Sequence, residues 1–336
     1  MEKKLNYKDR FELELGEALN GIDISYHTYG KFDSNINNVV WICHALTANS
    51  DAQDWWSGIV GEGKLYDPAK YFIVCANYLG SCYGTTGPLS INLETGNPYY
   101  RTFPKITVRD MIKAHNILRE HLGIEQIHTV LGGSIGGFQA LEWSIMNPDL
   151  FSNMILIGTN EKTTPWLKAF NESQRMAILA DKTYFEDSPD GGKEGLKVAR
   201  SIALLSYRNY DIYNKTQADN SDEITDNFNA CSYQQYQGTK LINRFNAYSY
   251  INLTHSVDTH NIGRGRGSVN EVLSQIKART LCIGTSTDIL FPPAEQKRLA
   301  ELIPNAEFIE INSRYGHDGF LIEDEKITEI INDFYN

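Results

Sequence analysis

"VLGGSIGGFQALEW", residues 130–143, decides how the rest of this chain is read. It sets one serine, Ser134, among Gly132, Gly133, Gly136 and Gly137, where an apolar run gives way to a helix-like segment. Glycine weakens strand and helix interiors by up to about 1 kcal/mol relative to alanine. Four so close together make sense if the backbone turns too sharply for side chains, or if something packs directly on it. Two readings compete. One is a glycine-rich turn of the kind common between strand and helix. The other is a G-x-S-x-G nucleophile elbow, Gly132-Gly133-Ser134-Ile135-Gly136, whose turn lifts the serine hydroxyl above a sheet. Short glycine motifs recur by chance, so the pentapeptide alone does not choose.

The surrounding pattern is that of an α/β chain. Short apolar runs recur as "VVWIC" (39–43), "YFIVCA" (71–76), "IHTVL" (127–131), "MILIG" (154–158), "TLCIG" (280–284) and "AEFIEI" (306–311). Their length and β-branched content, with longer polar segments between them, predict buried parallel strands joined by helical crossovers. In "TVRDMIKAHNILREHLGI" (107–124), Val108, Met111, Ile112, His115, Leu118 and Leu122 fall on one helical stripe, and Gly123 gives a stop. At the start, "FELELGEALNGIDISYHTYG" (11–30) alternates apolar and polar residues around Asn20-Gly21, a β-hairpin signal. Residues 166–270 lack strand-like runs and read as helices separated by polar stretches. The expected organisation is therefore a core of residues 1–165 and 271–336 interrupted by a helical insertion, 166–270.

Composition narrows the function. With 336 residues, the chain can bury a large core, and a net charge of −11 argues against nucleic acid or an anionic membrane as partner. The first residues, "MEKKLNYKDRFELEL", lack the apolar core of a signal peptide, and no run approaches membrane-spanning length. Cys43, Cys75, Cys82, Cys231 and Cys282 are odd in number, and three lie in or beside apolar runs. They read as thiols of a reduced compartment rather than as disulfides or a metal site. A cytoplasmic protein without a metal or resident cofactor is expected.

The elbow reading makes demands that the remaining sequence can meet or fail. An acid and a histidine must follow Ser134 in that order, each just past a strand. "TLCIGTSTDILFPP" places Asp288 after one strand, and "AEFIEINSRYGHDGFL" places His317 after the next. A serine hydroxyl is a weak nucleophile at neutral pH, so an imidazole must take its proton and a carboxylate must orient that imidazole. Asp288 could instead be a helix cap, and Asp318 is its rival, though an immediate neighbour rarely reaches the adjacent ring. Developing negative charge on an acyl oxygen needs N–H donors. Ile135 offers one, and Leu46, in "VVWICHALTANSD", offers a second. His44 reads as a packing or hydrogen-bonding residue beneath the site.

Taken together these segments resemble the homoserine O-acyltransferase family, within the α/β-hydrolase fold. The similarity runs through "YHTYGKF" (26–32), "CHALTANSD" (43–51), "FPKITVRDM" (103–111), "LGGSIGGFQALEW" (131–143) and "AFNESQRMAI" (169–178). It continues through "GLKVARSIALLSYR" (195–208), "YQQYQGTKLINRFNAYSY" (233–250), "STDILFPP" (286–293) and "YGHDGFL" (315–321), at collinear spacing over most of the chain. The resemblance implies Ser134 as nucleophile, Asp288 and His317 as its partners, and Leu46 and Ile135 as oxyanion donors. It adds an acceptor site: Arg200 and Tyr207, seven apart on one helix, and Asp318. It also implies acetyl-CoA as co-substrate, L-homoserine as acceptor, a ping-pong transfer through acyl-Ser134 that serves methionine synthesis, and a homodimer formed through lid helices. Ala48 stands where the family often has glycine, and Phe138 where methionine is common; both bear on the acyl pocket. Succinyl-CoA as donor, serine as acceptor, an esterase or thioesterase of the same fold, and a dead binding protein are the alternatives.

Overall fold

The computed structural model of the protein describes residues 1–336. Its centre is one eight-stranded sheet: β1 (Lys3–Glu12), β2 (Ala18–Tyr29), β3 (Val39–Cys43), β4 (Phe72–Ala76), β5 (Ile127–Gly133), β6 (Phe151–Ile157), β7 (Arg279–Thr285) and β8 (Ala306–Ile311), in the order β1-β2-β4-β3-β5-β6-β7-β8. β1, β2 and β4 pair antiparallel, and from β4 to β8 every pairing is parallel. The inner parallel strands β3–β7 are largely buried on both faces, which is why they read as apolar runs, whereas the edge strand β8 exposes Glu307 and Glu310. On β3, Val39, Trp41 and Cys43 enter one core, while Val40 and Ile42 enter the other.

Before β6, the crossovers carry α1 (Ala52–Trp55), α2 (Val108–His121) and α3 (Ile135–Met146). Thr107 and Asp110 form a reciprocal capping box that starts α2, so the stripe expected over 107–124 has a defined N-terminus. Between β6 and β7 the chain forms α4 (Pro165–Ala180), α5 (Lys193–Tyr207), α6 (Tyr210–Thr216), α7 (Asn229–Ile242), α8 (Ala247–Asp258) and α9 (Val269–Leu273), with no strand among them. The chain ends with α10 (Pro293–Leu302), α11 (Gly319–Ile322) and α12 (Asp324–Tyr335). No helix is long and apolar enough to cross a membrane, and all five cysteines are free thiols.

The N-terminal hairpin exists, but Asn20-Gly21 is not its turn. The chain reverses at residues 13–17, where Leu13 N–H bonds the Glu17 carbonyl at 2.8 Å and Gly16 takes φ +94°. Gly21 lies inside β2 at φ +89°, opposite a register shift between Tyr7 and Arg10. A glycine with positive φ suits a β-bulge as well as a tight turn, and here the bulge won.

Candidate active site

Ser134 sits between the last residue of β5 and the first of α3, with φ 58° and ψ −127°. That is a rare backbone state for a residue with a side chain, and it is held from both directions. The Ser134 N–H donates to the Ile157 carbonyl at 3.0 Å, and the Ser134 carbonyl accepts from Thr159 Oγ1 at 3.0 Å. A Cβ on Gly132 would lie 2.2 Å from the Gly136 carbonyl carbon, and one on Gly136 would lie 2.1 Å from the Cys43 carbonyl oxygen. Both obstacles are backbone and cannot move aside. The elbow therefore needs glycine for close approach, while the serine itself carries the unusual φ.

Asp288 follows β7 and is buried. Its Oδ1 accepts from the N–H groups of Leu290 (2.8 Å) and Phe291 (2.9 Å), so it does hold a turn as a capping residue would. Its Oδ2 lies 2.7 Å from His317 Nδ1. A carboxylate only accepts, so Nδ1 carries the proton and Nε2 keeps its lone pair. Burial disfavours a charged His317 ring, but attraction to Asp288, their hydrogen bond and the nearby Asp318 outweigh it, and its pKa rises above the ordinary value. Phe291 stacks on the ring at 5.1 Å, with Phe320 and Tyr207 at 5.4 and 5.7 Å.

Leu46 and Ile135 line the same cavity as Ser134. The loop bearing Leu46 is fixed from below: Tyr78 OH donates to the Leu46 carbonyl at 2.6 Å, and His44 Nδ1 donates to the Ala45 carbonyl at 2.9 Å. Burial depresses His44 to a pKa of about 3, so it is a neutral support stacked on Tyr78. The cavity holds about 30 Å³ and is walled mainly by Leu46, Phe138, Leu167, Phe170, Val257, Leu290 and Phe291, with Asn171, Gln174, Ser206 and Tyr207 as its polar side. Phe138 packs face to face on His260 at 4.0 Å and against Phe291 at 5.8 Å. Ala48, expected beside the pocket, is not in its wall; its N–H closes a turn onto the Ala45 carbonyl. A larger groove of about 560 Å³ between β1–β2 and residues 81–99 contains none of these residues. No group of three His, Cys, Asp or Glu side chains is placed to hold a metal ion.

The acceptor-site residues meet only in part. Tyr207 lines the cavity, and the Arg200 guanidinium lies 5.6 Å from its ring centre with no carboxylate partner. Asp318 is already paired, its Oδ2 lying 2.5 Å from Nη1 of Arg208. Sequence reading missed Arg208. In "SYRNY" it looks like an ordinary arginine at a helix end, and its partner lies 110 positions later. Burial raises the Asp318 pKa despite the opposing pull of Arg208, His317 and Arg200.

Residues 38–324 match the α/β-hydrolase fold family model. The homoserine O-acetyltransferase of Cyclobacterium marinum is 47% identical over 98% of this chain and 93% of its own length. That of Nostoc punctiforme is 43% identical over 96% and 92%. Among solved structures, homoserine O-acetyltransferase from Bacillus anthracis superposes with a TM-score of 0.91 at 26% identity, covering 100% of this chain and 97% of that one. Esterase E22 superposes with a TM-score of 0.90 at 22% identity over the full length of both, a likeness of fold alone.

Proposed function

The chain belongs to the homoserine O-acetyltransferase family of α/β hydrolases, and on that premise we propose that it moves an acetyl group from acetyl-CoA to the hydroxyl of L-homoserine. Ser134 attacks the thioester carbonyl as His317 Nε2 takes its proton. The N–H groups of Leu46 and Ile135 receive the developing oxyanion, and CoA leaves with the proton returned by His317. Homoserine then binds, His317 removes its hydroxyl proton, and the acyl group passes from Ser134 to that oxygen. Arg200 suits the acceptor's carboxylate, Tyr207 its flank and Asp318 its ammonium group.

The observation that carries this reading is that the elbow serine opens on an apolar cavity also lined by Tyr207 and Phe291, the two rings packed against the buried Asp288–His317 pair. Water is the acceptor to be beaten, and a site covered by the helices between β6 and β7 helps exclude it. Acetyl rather than succinyl is favoured by the cavity wall, which is small and contains no Lys or Arg for a second carboxylate. The exposed apolar side chains Met176, Val198, Leu205 and Tyr236, on α5 and on the α4 and α7 that pack against it, favour a homodimer through this insertion. Sedimentation showing only monomer at micromolar concentration would remove the dimer from the proposal.

The test follows CoA release from acetyl-CoA with and without L-homoserine, beside Ser134→Ala. Release that needs homoserine and drops by about 10⁴ to 10⁶ in kcat in the variant is the expected result. Release indifferent to homoserine would make the protein a thioesterase. Release only from succinyl-CoA would correct the donor and leave the serine chemistry in place.

A further inference from the structure

The turn that carries His317 is held by the insertion at two points. The first is backbone: Gly316 takes φ +64°, and a Cβ there would lie 2.8 Å from the Tyr207 carbonyl oxygen and 2.9 Å from the Arg208 carbonyl carbon. Residues 207–208 therefore rest directly on the turn. The second is ionic: Arg208, the residue that ends α5, reaches Asp318 Oδ2 with Nη1 at 2.5 Å and Tyr233 OH with Nη2 at 3.2 Å. Both side chains of the ion pair are mostly shielded, 25% and 15% exposed, so solvent screens it only in part.

We propose that Arg208 is a positioning residue for the histidine base: through Asp318 it fixes the 316–318 turn against the insertion and offsets part of the carboxylate charge beside His317. The proposal rests on the Ser134–His317 chemistry given above. The groups facing His317 from the packed elements are Asp288 from the loop after β7, Asp318 beside it and Tyr207 from the end of α5, with Arg208 reaching it through Asp318 and Arg200 lying against Tyr207. Arg208 uses only Oδ2 of Asp318, which leaves Oδ1 for an acceptor's ammonium. One arginine thus has two effects. It orients the carboxylate, and it keeps that negative charge from holding a proton on the ring that must give it up.

The sign of the effect separates this role from a merely structural one. Removing the cation leaves Asp318 uncompensated, which favours the charged ring. The ring then needs a higher pH to become neutral. In Arg208→Gln, the acid limb of the Ser134 acylation rate, measured with p-nitrophenyl acetate and no homoserine, should move up by about 0.5–1 pH unit. Arg208→Lys should leave the limb in place, and Asp318→Asn, which strands the arginine's positive charge, should move it down. The double variant Arg208→Gln/Asp318→Asn should return it close to wild type.

NMR titration of the His317 ring gives the same comparison without any turnover, and circular dichroism confirms that each variant is folded. A lower plateau with an unmoved limb and an unmoved ring titration in Arg208→Gln would overturn the proposal. If that variant does not fold, the downward move in Asp318→Asn decides it, and no move refutes it. Failure of p-nitrophenyl acetate to acylate wild-type Ser134 would defeat the catalytic reading instead, and the ring titrations would still judge the coupling of Arg208 to His317.

Discussion

On the Ser134 side of the pocket, no charged side chain helps to place the serine. The elbow is set by glycine backbones pressed on Cys43 and on each other, by the Ile157 carbonyl and by a threonine hydroxyl. The supports beneath the Leu46 loop are a tyrosine hydroxyl and a neutral histidine. On the His317 side, placement passes through charge: Asp288 to the ring, Arg208 to Asp318, and, further into the insertion, Arg175 and Asn171 to Asp258. The difference teaches which perturbation reaches which half. Steric change should break the first side with little regard to salt, and ionic change should loosen the second without unfolding the sheet.

Asp288 anchors the His317 side, and its replacement should have the largest effect on rate. In Asp288→Asn the N–H groups of Leu290 and Phe291 keep the amide oxygen where Oδ1 now sits. The amide NH₂ must then face His317 Nδ1, which has to accept, so the proton moves to Nε2 and the base is lost. A fall in kcat of about 10⁴ is expected in steady-state assays. A fall below tenfold would mean that the ring finds its tautomer without Asp288.

The next effect tests the uncharged side. Burial holds His44 and His260 to pKa values of about 3, and His115 to about 4. An unfolded chain would bind protons on these rings below its own value of about 6.5 that the folded chain refuses. Stability is therefore full above that pH and is lost as pH falls toward the folded values, by about 1.4 kcal/mol per unit for each ring and about 4 for three. Urea midpoints should drop steeply between about pH 6.5 and 4.5, and the drop should shrink in His115→Gln. Equal midpoints across that range would contradict the burial of these rings as neutral groups.

Gly136→Ala follows. Its new Cβ meets the Cys43 carbonyl, so β3 or α3 must shift, at a cost of about 3 kcal/mol or more. Thermal denaturation should show the loss at both low and high salt, and a midpoint within a degree of wild type would show that the elbow has room to relax. The smallest effect lies on the ionic side. Raising salt from about 0.05 to about 0.5 M should raise KM for homoserine by about twofold with kcat nearly constant, as the partly exposed charges of Arg200 and Arg208 are screened. A KM independent of salt would erase the contrast between the two halves.

Much of this molecule was legible because local pattern carried it. Each of the six apolar runs lies in a strand, and Ser134, Asp288 and His317 stand at the ends of β5, β7 and β8, where order along the chain and strand position suffice to find them. What the sequence hid depends on partners far apart in the chain. Gly21 could not declare itself a bulge rather than a turn, because that depends on the register of β1 against β2. Arg208 gave no local sign of Asp318, and Phe138 none of the His260 face on which it packs.

The order of the strands also bears on how the chain is made. β6 ends at Ile157 and its parallel neighbour β7 begins at Arg279, so every helix from α4 to α9 leaves the ribosome before β6 has its second partner. Until then the edge of β6 has unpaired N–H and C=O groups, and the nascent chain holds the Ser134 turn without Asp288 or His317. Closing that long loop is a late, entropically costly step, and it delivers Asp288 and His317 together. A growing chain therefore carries Ser134 on its turn, without Asp288 or His317, until β7 and β8 have been made.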